Sequence, residues 1–210
     1  MDTMTARVYG GVAEEDRRSD RRKRLIDSAY NLLAAGGPEA VTVTGVCREA
    51  GLSPRYFYEN FDNRDALVQA ILDAEADAVI SFILERALST PGGANERGHA
   101  AMDALLDALE TDPRRAALGK ATGHDDLLLR FRATVTKRMA AELATQLLDV
   151  PGFEDRRPDL HVASTLIMFG ILQLVIDWLG GETTMSRQEL VEVSVEFAIA
   201  TLTHLLGRAE

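Results

Sequence analysis

The stretch "AGLSPRYFYENFDN", residues 50–63, constrains the fold more than any other part of the chain. Gly51 ends whatever helix precedes it, because glycine alone enters the left-handed turn conformation at no steric cost. Two residues later Ser53 and Pro54 begin another helix, the first as N-cap and the second with a φ already set for the first helical position. Upstream, Thr42 is the N-cap of a short helix whose Val43, Val46 and Cys47 face inward. Downstream, Phe57 and Phe61 lie four residues apart and form one inward face. Two short helices therefore meet across a tight turn, and the second turns Arg55, Tyr56, Tyr58 and Asn60 away from the core.

The rest of the chain also reads as helix. Leu25, Ile26, Ala29, Leu32 and Leu33 keep helical spacing from Asp20 to Ala35, and "GGP" at 36–38 stops that run. Asp62 or Asn63 caps a long fourth helix carrying Leu67, Val68, Ile71, Leu72, Val79, Phe82 and Ile83. Further helices are expected after the Pro-Gly-Gly break at 91–93, from Pro113 to near Gly119, from Asp125 to about Leu148, and near 159–179 and 187–206, with a loop "DVPGFEDRRPD" between. No stretch alternates as a half-buried strand does. The fold class is all-α, with about nine helices.

At 210 residues, 46% hydrophobic and 27% charged, the chain has the composition of a globular protein. One cysteine, Cys47, excludes an intrachain disulfide framework. The opening residues lack the apolar core of a signal peptide. The apolar run "VASTLIMFGILQLVIDWLGG" contains Gln173 and Asp177 and reads as a buried helix rather than a span. A cytoplasmic protein with no membrane partner is the expectation.

Charge is distributed unevenly. The net charge is −10, yet residues 17–67 carry nine basic and seven acidic side chains. Six of those nine lie in "RRSDRRKR", residues 17–24. A basic patch on an acidic molecule is a local electrostatic footprint, unlike a generic affinity for polyanions.

Two helices in this arrangement describe a helix-turn-helix, whose second helix lies in the major groove of DNA. Arg55 and Tyr56 stand at the end that meets base edges, and the arginine fork suits guanine. Ser53 suits a phosphate oxygen, and Tyr58 and Arg64 are placed to grip the backbone. Arg21, Arg22 and Lys23 precede this unit as a basic arm that adds phosphate contacts. The alternative for the arm is a solvated helix end.

Residues 21–72 resemble the DNA-binding domain of the TetR family of transcriptional regulators. The resemblance implies that Thr42 and Thr44 touch DNA at the second helix, and that Ser53, Arg55, Tyr56, Tyr58 and Asn60 belong to the recognition helix. Arg64 matches a position where the family often has a phosphate-binding lysine. Arg55 and Tyr56 replace the small residues frequent after Ser-Pro, so the base sequence read is this chain's own. Glu59 stands among the expected phosphates without a stated role.

The organisation that follows is a disordered arm over 1–18, a DNA-binding domain over 19–66 and a ligand-binding and dimerisation domain over 67–210. Val191, Val195, Ala198, Leu202 and Leu205 step by four and three, a heptad-like seam. The preceding helix carries Ala163, Ile167, Gly170, Leu174 and Trp178 and is apolar nearly all round, so it must bury more than one face. A two-fold homodimer through these helices is the expectation, with a monomer whose last helices complete its own core as the alternative, and with the dimer comes a near-palindromic operator on double-stranded DNA. The resemblance implies an internal pocket for a small-molecule effector. Phe82, Met102, Leu106, Phe131, Met168, Phe169 and Leu172 are candidates to line it, with Arg130 or Gln173 for polar recognition; the competing reading is plain core. An apolar or aromatic effector that releases a repressor is the expected mechanism. The alternatives are an activator, a ligand-independent regulator, or an interaction module with a relic helix-turn-helix. His99, His124, His161 and His204 form no triad or metal spacing, and no phosphate loop or nucleophile elbow is present. No catalytic activity, metal or cofactor is expected.

Overall fold

The computed structural model describes residues 5–121, 126–148 and 157–207, and every regular element among them is helical. The chain divides into two compact units, Met1–Glu75 and Ala76–Glu210.

The first unit contains α1 (Thr5–Gly36), a 3-10 turn (Pro38–Ala40), α2 (Val43–Ala50), α3 (Pro54–Tyr58) and the opening turns of α4 (Arg64–Ser89). Its core is the set of side chains that the apolar spacing selects. Leu25, Ala29, Leu33, Val46, Phe57, Leu67 and Val68 are all buried. Ile71 and Leu72 are buried too, and the unit runs to Glu75 rather than ending at 66. Residues 5–18, expected as a disordered arm, lie inside α1. Glu14 pairs with Arg17 at 2.9 Å and with Arg21 at 3.5 Å, which supports helix through this stretch.

Both helix boundaries around the turn have their physical cause on view. Thr42 Oγ1 accepts the Gly45 N–H at 3.0 Å, closing the N-terminus of α2. Gly51 ends α2 with φ 63°, and its N–H and that of Leu52 return to carbonyls of the last turn. Asn63 Oδ1 caps α4 by accepting from Ala66 N–H at 2.8 Å. Ser53 stands at the N-cap of α3 but makes no side-chain cap bond, so its hydroxyl is left to the surface.

The second unit contains the remainder of α4, α5 (Ala94–Thr111), α6 (Pro113–Ala121), α7 (Asp126–Leu148), α8 (Arg157–Gly180) and α9 (Arg187–Gly207). The expected start at Asp125 and the 149–156 loop lie outside the described residues. Here α7 packs along α8, α5 against α9, and α8 against α9. Ile83, Leu105, Leu106, Ile167, Val175 and Leu190 form the middle of the core. Trp178 donates its indole N–H to the Met185 carbonyl at 2.9 Å, fixing the turn into α9. Arg187 then ties α9 to α5 through Asp103 at 2.7 Å and Asp107 at 2.6 Å.

Helix α8 is apolar on a face its own unit leaves bare. Val162, Leu166 and Phe169 are exposed at spacings of four and three. On α9, Val193, Phe197 and Ala200 repeat the same pattern outward. Asp159–Gly180 is long and apolar enough to cross a membrane by length and composition, with 28% of its most apolar window buried.

Candidate nucleic-acid interface

The surface built around α3 begins with what holds that helix. Phe57 is fully buried and meets Phe61 at 5.9 Å between ring centroids, anchoring the inward face. A five-residue helix has too few internal bonds to stand alone, and α1 supplies the missing partners. Arg18 donates to the Glu59 carbonyl at 2.9 Å and Arg22 to the Asn60 carbonyl at 3.3 Å. These are carbonyls at the C-terminal end of α3, where positive charge also meets the helix dipole favourably. Arg22 lies 4.3 Å from the Phe61 ring centroid and Arg21 4.7 Å from that of Tyr56. Arg24 does the same for α2 by donating to the Ala50 carbonyl.

Arg21 and Arg22 therefore brace α3 from within α1. Their charge stays on this side of the unit, but their reach is limited by these contacts. Lys23 is exposed.

Among the residues expected to touch DNA, the structure separates two groups. Thr44, Ser53 and Tyr58 are exposed, as are Thr42, whose hydroxyl also caps α2, and Arg55, whose Nε alone is engaged. Arg55 presents 83% of its side chain and Tyr58 is packed edge-on against Phe57 at 5.3 Å, which aims it outward. Tyr56 is half-buried beneath Arg21, so it offers an edge rather than a whole ring. The other group is already engaged. The Asn60 amide donates to the Tyr56 carbonyl at 2.8 Å, closing α3 rather than facing outward. Arg64, expected to grip phosphate, donates Nε to the Val41 carbonyl at 2.8 Å and Nη2 to the Pro38 carbonyl. Its Nη1 meets Asp65 at 3.3 Å. Its donors hold the turn before α2, which is why an arginine serves here.

Glu59, which sequence reasoning could not place, pairs with Arg55: Nε donates to Oε1 at 2.9 Å. The i, i+4 spacing was the signal available for finding it. Cys47 is buried in the packing of α2, and burial pushes its thiol pKa up, away from reactivity.

In the second unit the expected pocket residues are not gathered round a described cavity. Met102 and Leu106 are buried in the core with Met168 packed against them. Phe131 and Leu172 are half-buried, whereas Phe82, Phe169 and Arg130 face outward. Gln173 accepts from Arg132 and donates to Asp177 at 2.6 Å, so its amide is committed to the helix surface. A cleft of about 530 Å³ opens elsewhere, lined by Asn95, Glu196, Ile199, Ala200, Thr203 and His204.

The expected dimer seam divides in the same way. Ala163, Ile167, Val191 and Val195 are buried within their own unit. Leu174, Trp178, Ala198 and Leu202 are partly buried against that core, and the Leu205 side chain lies outside those described. Of the seam residues Gly170 is fully on the outside. The outward apolar stripes lie one or two positions away, because a heptad rule cannot tell which of two apolar faces meets the protomer's own core.

Comparison with known proteins agrees with this geometry. Residues 25–71 match the family model described as bacterial regulatory proteins, tetR family. The HTH-type transcriptional activator FasR of Mycolicibacterium smegmatis is 25% identical over 205 residues, covering 95% of this chain and 91% of that protein. Among solved structures, the fatty acid degradation regulator FadR of Bacillus halodurans superposes with TM-score 0.68 at 16% identity, over 85% of this chain and 94% of the other. FadR of Bacillus subtilis in complex with stearoyl-CoA gives 0.61 at 16% identity, over 85% and 98%. Residues 25–71, which build the buried scaffold and its exposed polar and aromatic helix, match the DNA-binding domain of the tetR family of bacterial regulatory proteins, and over nearly its whole length the chain is similar to a transcriptional regulator with a helix-turn-helix.

Proposed function

We propose that this regulator acts as a homodimer on a near-palindromic operator and represses transcription until a small apolar effector releases it. The observation that carries the reading is the exposed set Thr44, Ser53, Arg55 and Tyr58 on helices braced from behind by Arg18, Arg21 and Arg22. A rigid helix with base-reading and phosphate-binding side chains on its free face is what major-groove recognition needs.

Two further observations support the finer parts. The bare apolar stripes of α8 and α9 need cover, and a second copy supplies it without a membrane, giving an isologous interface. Two such units carry two recognition helices, hence the near-palindrome. For the effector, Ser164 and Ser194 are buried with hydroxyls that meet no hydrogen-bond partner among the described residues. A buried hydroxyl without a protein partner is a place that a ligand or a water can complete. The core of the second unit is apolar, which favours an apolar ligand; the B. subtilis fold neighbour is solved with stearoyl-CoA, which makes acyl-CoA the first probe to try. Because α4 is one unbroken helix with residues in both units, a ligand preferring a different helix arrangement shifts the population of DNA-competent dimers.

A second reading, activation, rests on a specific observation: the relative matched over 95% of this chain is named an activator. A footprint on DNA upstream of the gene, followed by transcription from that promoter with and without protein, decides between them. Repression predicts a symmetric footprint and lower transcript on adding protein; higher transcript gives the activator reading. Linkage adds a second check, since operator DNA must weaken a releasing effector's binding by the factor by which that effector weakens DNA binding. Unchanged effector affinity with operator present rules out release.

A further inference from the structure

Glu59 places a carboxylate on the surface that, in the reading above, approaches DNA phosphates. Its side chain and that of Arg55 form an i, i+4 pair at 2.9 Å, with Arg55 83% exposed and Glu59 36%. Helix stability gives little reason for it. Exposed pairs at this spacing add little to a helix, and here the base lies N-terminal to the acid, the less favourable order against the dipole. The end of α3 is also already closed without this pair, by Arg18 on the Glu59 carbonyl and by the Asn60 amide on that of Tyr56. A carboxylate near phosphates should weaken binding to any DNA, so its presence calls for a return in selectivity.

The geometry supplies one. Glu59 engages Nε, one of five donors on the guanidinium, from the side of the α3 C-terminus. Among the described residues the two Nη groups meet no acceptor, and they form the fork that matches the N7 and O6 acceptors of guanine. We propose that Glu59 is a positioning residue for Arg55: it holds the guanidinium with its two-pronged edge outward, and so sharpens the reading of one guanine in each half-site. Its charge penalises docking wherever no guanine meets the fork. The proposal rests on the DNA-reading function and adds to it a determinant of specificity that never touches a base.

The test is selection of bound duplexes from a randomised pool by the full-length protein at fixed salt. Wild type, Arg55→Ala, Glu59→Ala and Glu59→Gln are compared, each checked for native helicity. Wild type should enrich a symmetric motif with a fixed guanine in each half-site. Arg55→Ala should lose that guanine and keep the rest of the motif. Glu59→Ala should relax preference at the same position by roughly 2- to 12-fold, the range for losing the pre-ordering of one long side chain. It should also bind a scrambled duplex more tightly. Glu59→Gln, which keeps an acceptor without the charge, should fall between. If Glu59→Ala tightens every duplex alike and leaves the guanine preference unchanged, the carboxylate is a repulsive charge only and the proposal is overturned. A wild-type selection that yields no motif overturns the DNA-reading function itself, together with this refinement of it.

Discussion

Val191 and Val193 are two residues apart on α9, yet Val191 is 5% exposed in its own unit's core and Val193 is 41% exposed. The same opposition holds on α8 between buried Ile167 and exposed Leu166. Outward residues of this kind touch nothing that the isolated protomer needs. Leu166→Asp and Phe197→Asp should therefore leave the helical signal close to wild type. If the bare stripes meet a second copy, sedimentation should show the variants as monomers at concentrations where wild type is a dimer. Operator affinity should drop by more than about tenfold, since one half-site contact is lost. Variants that remain dimeric would move the interface elsewhere.

Arg64 holds the turn before α2 through the carbonyls of Val41 and Pro38. A lysine has the charge but not the planar fork that serves both acceptors. Arg64→Lys should cost about 1.5–3 kcal/mol, the range for losing a charge-assisted hydrogen bond. Urea unfolding measures it. In Arg64→Ala, which removes the charge, the salt slope of operator binding should stay unchanged, whereas loss of a true phosphate contact lowers it by about one.

Gly51 adopts φ 63° at the turn between α2 and α3. A side chain there pays about 1–2 kcal/mol for the left-handed conformation. An added Cβ would also stand 3.2 Å from Arg24 Nη2, the group that donates to the Ala50 carbonyl. Gly51→Ala should lower the thermal midpoint and weaken operator binding together, because the turn sets the angle between the two helices. Gly170, where a Cβ meets nothing within 4 Å, is the control for protomer stability.

Glu14, beside Arg17, and three further carboxylates are held below their usual range by local donors. The Arg114 side chain lowers Asp112, the Ser186 N–H and hydroxyl lower Glu189, and backbone N–H groups at the start of α5, including that of Gly93, lower Glu96. A folded-state pKa below the unfolded one stabilises fully above the unfolded value and loses that contribution as pH falls through the folded value. Stability should thus be level from neutral pH down to the ordinary glutamate value of 4.5 and decline below it. Glu189→Gln retains a capping acceptor and removes the charge. Its deficit against wild type should be present at neutral pH and vanish in acid; a deficit independent of pH would assign the loss to packing.

The helix count, the turn at Gly51 and the first unit's core were legible because each rests on local rules: a cap residue, a left-handed glycine, an apolar period. Phe57, Phe61, Val46 and Leu25 were selected by spacing alone and are buried. What was not legible depends on which partner a side chain finds across the fold. Arg22 and Asn60 are 38 residues apart, and nothing in a basic run tells that its members will cap a distant helix rather than reach for phosphate. Arg64 is another such case, its donors meeting the carbonyls of Val41 and Pro38 across the fold. On α8 and α9 the sequence is apolar on two faces, so periodicity named a seam but not its side.

The most direct test of the DNA-reading surface is fluorescence anisotropy with a duplex from immediately upstream of the gene and a scrambled control, at fixed near-physiological salt. Wild type, Arg55→Ala and Tyr58→Phe are run together. Selective tight binding that Arg55→Ala weakens by about 1–3 kcal/mol, with a smaller and sequence-independent loss in Tyr58→Phe, is the predicted result. Selective binding by wild type that Arg55→Ala leaves untouched would contradict it.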